Sequence, residues 1–436
     1  MKSLALLLMT LSLTAQAAIQ IQEEVYIIGE KPEVVKELIQ SGSVEIDHVS
    51  SEGFELYGSK GLMDYLDTRN IVYSDMKQMN KSALQAYPSH AQITAKLMAA
   101  QAKRPDIIKV FSIGKSVKGK DLWVVKISDN VNADETEPEF KYISSMHGDA
   151  ITGRELTTFL IEEIAAKYGT DQELTSLVNN TEIFIMPSMN PDGSEMKQRG
   201  NANGVDLNRN FPDIISDSNG ASLAPRQIEN QAVMKFQATR QFALSANFHG
   251  GTIVANYPWD SKYDRHPLDG FVKELSSVYA DLNPEMRSSR EFANGITNGA
   301  DWYVVRGGMQ DWSYFWYNDL QITLEVSHEK YPSYSDIPGF YKSNRDSMVE
   351  YMKQVHRGAG IKLGRAGVSG TVTVKQNSPV SKDLGTYAFS NSQFYKVMPE
   401  GDYTFTVKET SGATQNISVR VEKDSIAKNG NYARLK

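Results

Sequence analysis

Apolar and polar positions change rhythm three times along the chain. Shortly after an apolar start, EEVYIIG alternates like a strand, and KPEVVKELIQSG carries apolar residues at helical spacing and closes on glycine. VEIDHVS and GFELYGS alternate again, and KGLMDYLDTRN and IVYSDM add a helix and a strand. The order strand-helix-strand-strand-helix-strand predicts a small α+β domain over residues 18–80, followed by a polar linker, KQMNKSALQAYPSH.

From residue 87 to 362 the rhythm becomes that of an α/β protein. Helical stretches separate the apolar runs VVKIS, YISSMH, IFIMPSMNP, ALSANFHGG and ITLEVS. This alternation predicts a mixed, largely parallel sheet flanked by helices, in which ligands gather at the strand ends. Over residues 363–436 the texture shifts once more, to VSGTVTV, GTYAFS, DYTFTVKE and NISVRVE between Gly, Asn, Ser and Pro. Short alternating strands of this kind predict an all-β sandwich.

Composition adds limits. The chain has 436 residues, 40% hydrophobic and 23% charged, which is ordinary for a soluble protein of two or three domains. Its formal net charge of −7 argues against nucleic acid as the main partner. Residues 1–17, MKSLALLLMTLSLTAQA, join a positive start at Lys2 to an apolar run and the small-x-small pattern Ala15-Gln16-Ala17, which reads as a secretory signal. No later run is long and apolar enough to span a bilayer. With no cysteine there are no disulfides, thiolate ligands or thiol nucleophile, and an exported protein of this size without disulfides points to a bacterial periplasmic or secreted setting.

Chemistry gathers around two of the seven histidines. His147 in SSMHGD and His249 in ANFHGG end predicted core strands and run into glycine turns. A catalytic zinc takes three protein ligands and keeps one position for water, so two histidines call for a carboxylate nearby. Asp149 lies two residues beyond His147 and Glu155 eight, and neither has the spacing that a strand-to-turn clamp favours.

Five further blocks, IMPSMNPDGSE, RGNANGVDLNRNFPD, FHGG, NGADWYVVRGGMQDWSY and ITLEVS, follow in order. Together they resemble the zinc metallocarboxypeptidases, in particular the regulatory branch of carboxypeptidases N, E and D. That branch carries a transthyretin-like sandwich behind its catalytic domain, so the resemblance runs from about Tyr87 to the C-terminus. It implies removal of single C-terminal residues from peptides with one Zn2+, held by His147 and His249. Ala150 stands where the family has its glutamate ligand.

The same resemblance makes Glu325 the base that takes the proton of a zinc-activated water and Arg199 the stabiliser of the developing oxyanion. Asn208 and Arg209 would grip the terminal carboxylate, a task suited to a planar guanidinium, and Tyr303 would close over the bound residue. Asp213 and Gln310 match positions that accept a basic side chain, so Lys or Arg is the expected last residue. Diaminopimelate in cell-wall peptides would suit the same pocket, and the lesser alternative for Asp213 is a turn or helix-capping residue after Pro212.

Ala150 has no donor atom. With every other matched position intact, the pattern reads as a Glu-to-Ala substitution that weakens zinc and disarms an otherwise competent enzyme. The alternatives are a non-catalytic binder of basic or cell-wall peptides, and a working enzyme that recruits Asp149 or water. The N-terminal unit is similar to the pro-segments of digestive carboxypeptidases and departs from the regulatory layout. It is expected to be an inhibitory pro-segment cut between about Asp75 and Tyr87, near Lys77 and Lys81, by an activating protease, or else a permanent accessory domain.

Overall fold

The computed structural model describes residues 19–76, 87–422 and 432–435. The signal-like start and the linker with Lys77 and Lys81 lie outside the described residues. The N-terminal unit forms a four-stranded sheet in the order β2-β3-β1-β4, from β1 (Glu23–Ile28), β2 (Val44–Asp47), β3 (Gly53–Gly58) and β4 (Ser74–Asp75). Helices Glu33–Gln40 and Leu62–Asp67 join the strands in the expected order. Val25, Ile27, Val35, Phe54, Leu56 and Leu66 form a separate small core.

The central sheet has eight strands in the order β11-β10-β12-β9-β7-β8-β6-β5. They are β5 (Ile108–Lys115), β6 (Asp121–Ile127), β7 (Glu139–Ser144), β8 (Glu182–Met186), β9 (Phe242–His249), β10 (Ile253–Tyr257), β11 (Ile296–Asn298) and β12 (Leu320–Val326). Strands β8, β7, β9 and β12 run parallel, and antiparallel pairing of β10 to β12, β6 to β8 and β5 to β6 makes the sheet mixed. The four parallel strands are buried along their whole length, which explains their continuous apolar runs.

Helices cover both faces. The first, His90–Lys103, starts where a reciprocal capping box forms: Ser89 Oγ accepts from Gln92 N and Ser89 N donates to Gln92 Oε1. The helix Thr152–Lys167 lies close on the sheet beside β9, and a Cβ at Gly153 would meet that of Phe248 at 2.3 Å.

The all-β region begins at Gly358, ahead of the expected boundary at 363. Its strands are β13 (Gly358–Leu363), β14 (Gly370–Ser378), β15 (Lys382–Phe389), β16 (Gln393–Val397), β17 (Gly401–Glu409), β18 (Thr414–Val421) and β19 (Tyr432–Leu435), in a three-stranded sheet, β16-β13-β19, and a four-stranded one, β15-β14-β17-β18. Its Phe394, Phe405 and Val374 belong to the same continuous apolar cluster as Phe248, Leu324 and Met352 of the α/β domain.

Candidate active site

Strands β7, β9 and β12 point their carboxyl ends the same way, and the matched residues collect there. His249 is the last residue of β9, and its register partner on β12 is Glu325. His147 lies three residues past the end of β7 rather than on the strand, because the chain leaves the sheet at Ser144. Gly148 then packs so tightly on Gly193 that a Cβ would lie 2.1 Å from its carbonyl carbon, which fixes the turn.

The two imidazoles face each other with Nδ1 atoms 3.1 Å apart. Two nitrogens bound tetrahedrally to one zinc at about 2.0–2.1 Å would stand about 3.3 Å apart, so the pair fits two arms of a zinc site. Asp206 Oδ1 holds His147 Nε2 at 2.9 Å, in the carboxylate–histidine arrangement that orients metal ligands, and turns Nδ1 to the site, where Arg199 Nη1 now lies 3.3 Å from it. Burial, aided by Arg199, lowers the pKa of His147; burial and His147 push His249 well below its ordinary value. Neutral imidazole is the form that ligates.

The third arm is missing. Ala150, matched by resemblance to the third ligand, is buried and has no donor atom. Asp149 is buried with both carboxylate oxygens lacking hydrogen bonds, and Lys330 Nζ lies 3.8 Å from Oδ2. Glu155 is turned away into an ion pair with Arg154 at 2.7 Å. The residues present therefore fit zinc at two protein positions of the family's three.

Glu325 is buried, and Oε2 has no hydrogen-bond partner. Burial raises its pKa to about 7, against the lowering effect of His48. Such a carboxyl is poised for proton transfer near neutrality. Arg199 is fully buried and paired with Asp206: Nε donates to Oδ2 at 2.8 Å, and Nη2 lies 2.7 Å from the same oxygen without a hydrogen bond. Asn208 Oδ1 accepts from Met309 N at 2.9 Å, and Arg209 Nη2 donates to the backbone oxygen of Ile46 at 3.2 Å.

That last bond comes from the N-terminal unit, whose strand β2 ends in the cleft. Asp47 pairs with Arg199 Nη1 and lies 3.5 Å from Lys330 Nζ, and it accepts a hydrogen bond from Tyr303 at 2.5 Å. Burial pushes its pKa up, but Arg199, His48 and Lys330 outweigh burial and hold it well below the carboxylate range. His48 sits over Gly251, between Glu55 at 3.2 Å and Asp47 at 3.6 Å. Trp302 Nε1 donates to Val49 O at 2.7 Å. Glu45, half-buried beside Asp206, is raised to about 8 by desolvation and then by Asp206.

The two expected specificity residues are engaged inside the protein. Asp213 accepts from Ile215 N at 3.0 Å and Ser216 Oγ at 3.1 Å, with Arg306 Nη1 3.4 Å away, so it does serve as a turn residue. Gln310 donates to Asp260 Oδ1 at 2.8 Å and accepts from Thr323 Oγ1 at 2.9 Å. Sequence reasoning passed over Asp206, Lys330, Asp47 and His48. Asp206 carried a signal, an acid two residues before Asn208 in the same block; the other three are joined to the site only by long-range packing.

A mixed sheet whose parallel strands deliver two histidines and a buried glutamate to one end defines an α/β metallopeptidase class. Residues 93–347 match the zinc carboxypeptidase family, Peptidase_M14, and the chain belongs to that family. It is of the regulatory type. It is 39% identical over 351 residues to human carboxypeptidase D, covering 73% of this chain and 25% of that protein. It is 37% identical over 384 residues to carboxypeptidase E of Caenorhabditis elegans, covering 74% of this chain and 80% of that one. The chain thus spans about a quarter of the length of the carboxypeptidase D relatives it matches. In fold it is similar to carboxypeptidase A from Helicoverpa armigera, with a TM-score of 0.61 at 16% identity over 78% of this chain and 98% of that one.

Proposed function

We propose that the chain is an exported carboxypeptidase for single C-terminal residues, most readily Lys or Arg, whose zinc site is disarmed at Ala150. The observation that carries the reading is the facing Nδ1 pair of His147 and His249, with Glu325 on the strand beside it. Bound zinc would supply a Lewis acid and a water of lowered pKa. His147 and His249 would hold it, with Asp206 fixing the first imidazole. Glu325, with its raised pKa, accepts a proton and returns it to the leaving amine. Arg199 offers a guanidinium already oriented by Asp206, and Arg209 with Asn208 receives the substrate carboxylate. The preference for Lys or Arg rests on the match of Asp213 and Gln310 to pocket positions of the family, although both side chains are bonded within the fold.

The N-terminal unit acts as an inhibitory pro-segment. Support comes from Asp47, whose carboxylate already engages Arg199 and Tyr303, partners meant for a substrate. Export rests on the signal-like residues 1–17; among the described residues no helix is long and apolar enough to cross a membrane. The natural partners on this reading are peptide C-termini, cell-wall peptides included, and a protease that cuts the linker. A peptide-binding role without hydrolysis is the second reading, favoured by the missing donor at Ala150.

The test is release of C-terminal Lys or Arg from a short peptide in zinc-supplemented buffer, by chains beginning at Tyr87. Ala150→Glu should turn over at least about a hundredfold faster than the parent and bind zinc correspondingly tighter, since even outer partners of a metal site are worth about 10–100-fold. Equal rates would refute the assignment of Ala150. Silence from both chains, with peptide still bound, would favour the binder.

A further inference from the structure

The loop between β6 and β7, residues 128–138, holds an acidic group that no part of the peptidase machinery uses. Asp129, Glu135 and Glu137 bring one carboxylate oxygen each within 4.8 Å of one another. Oxygens on opposite sides of one calcium ion stand about 4.6–5.2 Å apart, so the spacing of the three oxygens falls within the span of a single ion. Glu137 is only 6% exposed, and its Oε2 has no hydrogen-bond partner. Its carboxyl is pushed up to about 8, by burial first and then by Asp129, Glu135 and Glu182.

A neighbouring cluster shows what a satisfied acidic group looks like here. Asp134, Glu139 and Glu182 also converge, but Arg240 pairs with all three and Lys126 Nζ lies 2.6 Å from Glu182. Among the described residues Asp129, Glu135 and Glu137 form no ion pair with lysine, arginine or histidine. Facing two other carboxylates without a cation, the buried Glu137 cannot keep a charge of its own. Asp129 is exposed and Glu135 half-buried, so one side remains open to water.

We propose that Asp129, Glu135 and Glu137 bind one divalent cation, calcium by preference, that pins the loop entering β7. The donor set is all oxygen, which suits a hard cation and not zinc. Magnesium demands closer, octahedral ligands and keeps its waters, so it binds more weakly. The site stands at the opposite end of β7 from His147, and the ion orders the start of the strand that leads to the zinc site.

The test is calorimetric titration of the full-length chain, freed of divalent ions, with calcium chloride and in parallel with magnesium chloride. One calcium should bind per chain, tighter than magnesium, and raise Tm by several degrees at saturation. Glu137→Gln should lower calcium affinity at least tenfold. Glu135→Gln, at the more open side, should do likewise with the folded spectrum unchanged, and serves if the first variant fails to fold. Absence of calcium binding, or equal affinity in parent and variants, overturns the proposal. So does a Glu137→Gln chain that is more stable than a calcium-indifferent parent, since Glu137 would then hold only a proton.

Discussion

Replacing Asp47 by alanine should open the cleft. Asp47 is 4% exposed and is the carboxylate through which the N-terminal unit meets Arg199, Lys330 and Tyr303. Removing one partner of a buried ion pair costs about 3–5 kcal/mol, largely from the charge left behind. Here the lower end applies, because Arg199 keeps its ion pair with Asp206 and Lys330 keeps Glu55 at 2.5 Å and Tyr57 at 2.6 Å. About 3 kcal/mol weakens docking by about two orders of magnitude. A ligand that needs the open cleft has its apparent affinity reduced by the open fraction, so the loss of docking returns as a gain in binding. Calorimetry with a short peptide ending in arginine should therefore show up to about hundredfold tighter binding to Asp47→Ala than to the intact parent. Turnover does not complicate the measurement if Ala150 has disarmed the site. Equal affinities in parent and variant would refute the blocking role of Asp47.

Two further outcomes concern the same contact. Gly251 has φ +127°, and a Cβ there would lie 2.0 Å from the His48 ring, so Gly251→Ala should both strain the turn by about 1–3 kcal/mol and loosen the N-terminal unit. Adding His48→Gly should restore docking, measured by protease resistance of the linker, but not the turn's own strain; a double variant as open as the single one contradicts the clash. Burial lowers the pKa of His48, but Glu55 and Asp47 overcome this and raise it to about 9. Its stabilising contribution is complete below the ordinary value of about 6.5 and lost as pH rises through 9. Thermal unfolding of His48→Gln should accordingly lose stability less steeply than the parent across that window, and parallel curves would count against a charged His48.

Much of this architecture is written in local patterns. The six elements of the N-terminal unit and strands β6, β7, β8, β9 and β12 follow from alternation and apolar runs, because their side-chain periods match the faces they bury. Strands β5, β10 and β11 went unmarked: IKVFSIGK is an edge strand with few buried positions, while IVANY and ITN are short and flanked by turns, their pairing decided by neighbours far away in sequence. The site was legible because its residues sit in compact blocks on strand ends and turns. Asp47 was not, since nothing in VEIDHVS tells a solvent-facing acid from one that meets Arg199, 152 positions further on. Asp213 and Gln310 show the converse, residues whose block position suggested a free pocket lining and whose side chains are already bonded within the fold.

The shared apolar interior of the α/β domain and the C-terminal sandwich separates this chain into parts of unequal cohesion. Phe394 and Phe405 continue the cluster that holds Phe248 and Leu324, whereas the N-terminal unit keeps a core of its own and meets the cleft largely through charges and hydrogen bonds. Local opening follows such seams. Hydrogen exchange should therefore release β1 to β4 as one group, while amides of the sandwich and of β9 and β12 exchange together, only when the whole body unfolds. A chain cut short after residue 357 would expose half of a core rather than shed an appendage, and the sandwich is for that reason a wall of the catalytic body instead of a tail to it.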